Sequence, residues 1–263
     1  MKLPAILLFL AVLQSPLAFE VASVKQMDTT VENGIRGWSC TGIGERGIGH
    51  PAILAAPGRC RYVGQPLKSI IAEAYGMRGD RITKGPGWMD TLPYTIEAKA
   101  EEGPTWTRAQ LLEMTQTLLA DRFKLKFHRE KKEVTGYDLV IAKDGLRIKE
   151  FVPGQQPAAP SSRPPSGQQR MSGGMTMAQL AGNLAGSIGG PIDDKTGLGD
   201  QRYMVTLTWT FEGNDRIPAS SLPEPSGPQL VTAVQEQLGL KLEPKKTTIE
   251  IIVIDSVEKP LDN

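Results

Sequence analysis

Two stretches of the chain space their apolar residues alike. In PLKSIIAEAY, 66–75, they fall at Leu67, Ile70, Ile71 and Ala74; in TMAQLAGNLA, 176–185, at Met177, Leu180, Ala181 and Leu184. Recurrence at i, i+3, i+4 and i+7 predicts an amphipathic helix in each. Thr176 suits an N-cap and Pro66 a first turn. Each pattern runs into glycine, Gly76 in one and Gly186, Gly189 and Gly190 in the other, where a helix end turns left-handed at low cost.

The correspondence continues downstream. ITKGPGW, 82–88, answers IDDKTGL, 192–198. YTIEAKA, 94–100, and YMVTLTW, 203–209, both alternate apolar and polar residues as half-buried strands do. A second helix follows in each copy, through TRAQLLEMTQTLLADRF and PQLVTAVQEQLG. FKLKFH, 123–128, then answers LKLEPK, 240–245, and a last apolar strand closes each copy, YDLVIAKDG and IEIIVIDSV. RCRYVG and RMSGG read as a short strand before each first helix. The predicted fold is α+β: two tandem repeats of a helix-strand-strand-helix-strand-strand unit, with helices packed on mixed or antiparallel sheets. A ferredoxin-like arrangement is the nearest common pattern.

The domain reading follows. Residues 1–18 are a signal peptide, 19–60 an N-terminal strand and glycine-rich loop, 61–150 the first repeat and 171–263 the second. Residues 151–170, FVPGQQPAAPSSRPPSGQQR, form an exposed Pro-rich linker. A polar loop, GNDRIPASSLPEPSGP, interrupts the second repeat. FEVASVK, 19–25, alternates and is β-branched, so it reads as a strand that completes one of the sheets.

The signal peptide rests on MKLPAILLFLAVLQSPLAFE: Lys2, an apolar run from Leu3 to Leu13, then small residues at Ser15 and Ala18. The run is roughly half the length of a membrane-spanning helix. Cleavage after Ala18 sets Pro16 at an unfavourable position, which leaves the site open by a few residues. An uncleaved anchor is the alternative. Secreted or periplasmic location is expected, with no membrane span after cleavage. In such an oxidising compartment Cys40 and Cys60, the two cysteines of the chain, are expected to pair. Two structural thiols are the alternative.

Between the cysteines lies Gly42-Ile-Gly44-Glu-Arg-Gly47, a literal G-x-G-x-x-G. A dinucleotide site needs a helix starting at the third glycine. Here Gly49 and Pro51 oppose one, so the stretch reads as a loop between strands, closed by the cysteines. No cofactor is expected.

Composition narrows the partners. Hydrophobic residues make up 40% and charged residues 22%, ordinary globular values. A net charge of +1 and 6% aromatics supply neither the field nor the stacking platforms of a nucleic-acid binder. One local pattern stands out. Arg122, Lys124, Lys126 and His128 alternate with Phe123, Leu125 and Phe127, and Arg129, Lys131 and Lys132 extend the basic set. Period two places the apolar residues on the core and the basic ones opposite. That face is either solvated, its lysines discouraging edge pairing, or a patch for an acidic partner, lipid headgroups or an anionic surface polymer. Lys241, Lys245 and Lys246 repeat it weakly.

Catalytic constellations are missing from the pattern. There is no G-x-S-x-G and no H-E-x-x-H. Ser256-Val-Glu-Lys259 is an S-x-x-K at a strand end without companion motifs. Asp193-Asp194 suits turn formation, and Glu101-Glu102 a solvated loop. His50 and His128 offer too few ligands for a zinc site. Trp88 and Trp209 read as core or corner packing, whereas Trp38 and Trp106 lie in less regular contexts.

FEVASVK, LLADRFKLKFHRE, YDLVIAKDG, MTMAQLAGNLAGSIGGPIDDKTGL and VQEQLGLKLEPKKTTIEIIVIDSVEKP together resemble the soil-associated, Solibacter-type paralogous family of secreted proteins expanded in Acidobacteria. The resemblance spans nearly the whole mature chain. It implies an extracytoplasmic location and assigns no reaction. Some relatives carry the region on membrane-bound sensor peptidases, which implies sensing or binding. The units are also similar, at fold level alone, to the N-terminal domains of secretins. The function expected is a non-enzymatic binding or envelope-assembly module, its partner another envelope protein or an anionic surface polymer. The alternative is a secreted hydrolase or other enzyme with a site that sequence does not display.

Overall fold

A computed structural model describes residues 16–27, 36–49, 51–152, 154, 167–210 and 227–260. The fold is α+β. In chain order the elements are β1 (Val21–Gln26), β2 (Gly37–Thr41), β3 (Ile48–Gly49), β4 (Arg59–Pro66), α1 (Leu67–Ala74), β5 (Ile82–Thr83), α2 (Trp88–Thr91), β6 (Pro93–Lys99), α3 (Arg108–Arg122), β7 (Lys126–Ile141), β8 (Gln168–Met175), α4 (Met177–Ile188), β9 (Ile192–Asp194), β10 (Tyr203–Thr210), α5 (Leu230–Leu238) and β11 (Leu240–Ser256).

Local chemistry sets the helix ends. Thr107 and Gln110 form a capping box at α3, and Thr176 and Gln179 form another at α4. Each satisfies two donors that a helix start leaves unpaired. Gly189 and Gly239 end α4 and α5 in the left-handed conformation. At Gly239 a Cβ would lie 2.1 Å from the Gly145 carbonyl oxygen, so position 239 demands glycine on both counts.

Three sheets result among the described residues. One is five-stranded, in the order β1-β6-β4-β2-β3, with antiparallel pairing in each register that follows; another pairs β8 with β10 antiparallel. The third runs β5-β11-β7-β9, with β5 parallel to β11 and β9 parallel to β7.

The chain divides into two compact units, Met1–Glu130 with Glu250–Asn263, and Lys131–Ile249. In the first, α1 and α3 bury Leu67, Ile70, Ile71, Leu111, Met114 and Leu119 with Tyr62, Tyr94, Ile96, Phe123, Ile252 and Ile254. Glu73 of α1 pairs with Arg108 of α3, whose guanidinium lies 5.4 Å from the centre of the Trp38 ring. In the second, α4 and α5 bury Met177, Leu180, Leu184, Val234 and Leu238 with Val205, Leu207, Trp209 and Leu139.

Several expectations need correction. The compact units do not end at residues 150 and 171, where the sequence places the copies; each boundary falls inside a long strand, β7 or β11. FKLKFH and YDLVIAKDG are not separate strands, because the chain from Lys126 to Ile141 is continuous β7. Nor does a strand cover residues 122–125. Arg122 is the last residue of α3 and Lys124 takes a left-handed φ of 50°. A short helix, α2, occupies the corner after Pro86-Gly87, and Trp88 packs there edge-on to Tyr94. The expected signal peptide up to residue 15, most of the linker (153 and 155–166) and most of the polar loop (213–226) lie outside the described residues.

Candidate functional site

Cys40 of β2 and Cys60 of β4 face each other directly across the strand pair and form a disulfide, with Cα atoms 4.1 Å apart. Both are buried in the core of the first unit. The glycine stretch leaves β2 at once and meets the start of α3. The Ile43 amide donates to the Trp106 carbonyl at 2.8 Å, and the Glu45 carboxylate accepts from the Arg108 amide at 3.2 Å and 3.3 Å. A Cβ at Gly42 would lie 2.7 Å from that same amide nitrogen. Thus Glu45, an interior residue of the G-x-G-x-x-G, places its own carboxylate where a helix start favours an anion. After Gly47 comes strand β3, not a helix.

The rest of this loop overhangs the solvent face of the five-stranded sheet. The Ala55 amide donates to Ser39 Oγ at 3.1 Å, and the Ala100 amide to the Gly58 carbonyl at 3.0 Å. Leu54, Ala55 and Ala56 thereby wall a concavity of about 550 Å³. Its floor consists of two cross-strand rows, Val21–Lys99–Arg59 and Ser23–Glu97–Arg61. The alternating set, with Val24, Ile96, Ala98, Cys60 and Tyr62, turns into the core. Arg61 Nε donates to Glu97 at 3.1 Å, and Lys99 Nζ to Glu102 at 2.6 Å. The Lys99 hydrogen bond and charge hold the Glu102 carboxyl below its ordinary range. Three cations and one carboxylate line the concavity. Val21, 61% exposed, and Leu54, 51% exposed, add apolar surface. Sequence reasoning missed this face, although Arg59-Cys60-Arg61-Tyr62 carries the period-two signal that could have found it.

The basic residues expected to form one patch are all exposed and divide between the units. Arg122, Lys124, Lys126 and Arg129 belong to the first, Lys131 and Lys132 to the second. Carboxylates interleave with them. Arg129 pairs with Glu250, and His128 sits between Asp255 at 2.8 Å and Glu130 at 2.9 Å. In the second unit Lys245 bridges Asp138 at 2.5 Å and Asp193 at 2.6 Å, and Lys246 reaches Glu133 at 3.2 Å. The Lys245 hydrogen bond lowers the Asp193 carboxyl from its ordinary value. Asp194 accepts from the Thr196 amide at 2.9 Å, a turn-forming bond. Trp106 donates its indole N–H to the Glu101 carbonyl at 2.9 Å.

His128 yields a pH prediction. Hydrogen bonds to Glu130, then to Asp255, favour the charged imidazole and raise its pKa above the ordinary histidine value. The folded value therefore exceeds the unfolded one. The stabilisation is complete below the unfolded pKa and is lost as pH rises through the folded pKa. An NMR titration of the His128 ring is expected to give a midpoint above that of a histidine peptide. A midpoint at or below the peptide value would show that the two carboxylates do not hold the ring.

No helix among the described residues is long and apolar enough to cross a membrane. No group of three His, Cys, Asp or Glu side chains among them is placed to hold a metal ion. A family model described as a protein of unknown function (DUF3738) matches residues 68–257, from α1 to just beyond β11. Neither a curated protein nor a solved structure matches the chain.

Proposed function

We propose that the chain, which belongs to the DUF3738 family of proteins of unknown function, is a non-enzymatic binding module of a secreted or periplasmic compartment. The observation that carries the reading is the concave sheet face of the first unit, where Arg59, Arg61 and Lys99 outnumber Glu97 and the Glu102 paired with Lys99, beside exposed Val21 and Leu54. Such a surface attracts the anionic groups of an envelope partner and adds apolar contact at the wall. The buried disulfide supports an oxidising location.

Binding of short poly-L-glutamate, followed by fluorescence anisotropy at low and high salt, tests the proposal. A combined Arg59→Gln, Arg61→Gln, Lys99→Gln variant is expected to weaken it about tenfold, since partly exposed charges contribute modestly one by one. Unchanged affinity in that variant would remove the concave face from the function.

The module itself reads as a duplication. The order β4-α1-β5-β6-α3-β7 recurs as β8-α4-β9-β10-α5-β11, apart from α2. Gln65 pairs with Tyr94 as Met175 pairs with Tyr203. The buried series Thr115, Leu118, Leu119 and Phe123 has the spacing of Leu230, Ala233, Val234 and Leu238, and left-handed Lys124 answers left-handed Gly239. We infer that the two copies exchange the ends of their last strands. Ile82 pairs with Ile252 of the second copy, and Ile192 with Tyr137 of the first. The Phe123 carbonyl accepts from the Glu258 amide at 2.7 Å, and the Leu238 carbonyl from the Arg147 amide at 2.9 Å.

A further inference from the structure

Strand β1 forms one edge of the five-stranded sheet, and among the described residues its six residues pair with β6 alone. On the side away from β6 its amide and carbonyl groups have no described hydrogen-bond partner. Folded proteins close such edges with proline, a bulge, brevity or a charged side chain, lysine above all. In VASVKQ the only such device is Lys25. The second unit shows the contrast. The outer edge of β10 is closed by the Met204 amide donating to the Lys149 carbonyl at 2.8 Å and the Thr210 amide to the Pro228 carbonyl at 2.9 Å. Between them the Gln237 side chain bonds both the amide and the carbonyl of Thr208, at 3.0 Å and 2.7 Å.

We propose that the open edge of β1 takes an extended acidic segment of a partner polypeptide as an added strand, a reading that rests on the anion-attracting face proposed above. Side chains alternate along any strand so added. One set would stand on the concave face beside Val21, Ser23 and Lys25, with Lys99 and then Arg59 in the next ranks. Lys25, Lys99, Arg59 and Arg61 against Glu97 and the Glu102 that pairs with Lys99 leave that field positive, so these guest positions are acidic. The opposite set lies beside half-buried Ala22 and buried Val24, so those positions are apolar. A second copy of the chain fits poorly, because it would bring a second basic face onto the first. Main-chain hydrogen bonds supply the affinity, and the alternating charges fix which face the guest turns inward.

The experiment uses the full chain and a labelled Val-Glu-Val-Glu-Val-Glu peptide. A version N-methylated at alternate residues keeps the charges and loses the donors a strand needs. The inference expects the unmodified peptide to bind and to slow amide exchange across residues 21–26. It also expects N-methylation to weaken binding about tenfold or more and the Lys25→Glu variant to weaken it as well. Equal binding of both peptides, lost together in the Arg59, Arg61 and Lys99 variant, would overturn strand addition while leaving the anion-binding reading intact. Binding by neither peptide would overturn both. Concentration-dependent dimerisation that protects residues 21–26 without peptide would assign the edge to a second copy and overturn the acidic-partner inference.

Discussion

Ile252→Ala is expected to loosen the first unit, although Ile252 lies in the last strand of the chain. Its side chain is fully buried in the core that holds α1 and α3, and it pairs in parallel with Ile82. Truncating a buried isoleucine to alanine costs about 2–5 kcal/mol, through lost apolar burial and the cavity left behind. The reciprocal change is Leu139→Ala, expected to cost a similar amount. Leu139 comes from the first copy by sequence and is fully buried with α4 and α5. Amide exchange reads the two apart, because cooperative units open separately. Ile252→Ala should speed exchange in α1, β6 and α3, and Leu139→Ala in α4, β10 and α5. Faster exchange of α4 and α5 in the Ile252 variant would mean that each copy keeps its own last strand.

The sequence says which residues of these strands are buried but not in which core. IEIIVIDSV carries four consecutive apolar residues, Ile251–Ile254, all buried, and such a run suits either core, so the local pattern does not tell which one each residue enters. The helices are more legible. The apolar stripes of α1 and α4 are buried as their spacing requires, and Thr176 stands at the N-cap, whereas Pro66, expected in the first turn, takes the N-cap one residue earlier. The basic stretch misled for a definable reason. Phe123, Leu125 and Phe127 satisfy period two, but the helical series Leu111, Met114, Thr115, Leu118 and Leu119 runs on to Arg122. Tertiary packing of a 15-residue helix outweighed the shorter strand signal. The carboxylate of Glu45 at α3 was invisible because it joins residues 63 apart in sequence. The cationic floor was missed because its rows assemble from three strands, and only their register brings Val21, Lys99 and Arg59 side by side.

Replacing both Cys40 and Cys60 with serine is expected to destabilise the first unit by about 3 kcal/mol, the entropy of a loop of this length left open in the unfolded chain. Cys40 and Cys60 are 20 residues apart, and between them run the Glu45 carboxylate at α3 and the Leu54–Ala56 wall of the concavity. The bridge lies beneath that surface, with Tyr62 Oη 3.5 Å from Cys40 Sγ and Thr115 Oγ1 3.9 Å from Cys60 Sγ. Two serines would add hydroxyls beside Tyr62 Oη and Thr115 Oγ1, so a Cys40→Ala, Cys60→Ala pair separates the cross-link from any effect of those groups. Urea unfolding of the alanine variant, compared with the parent under oxidising and reducing conditions, measures the effect. The reduced parent should approach the variant in stability, and both should lose peptide affinity as the wall loosens. A variant as stable as the oxidised parent would show that strand pairing of β2 with β4 holds the loop without the bridge.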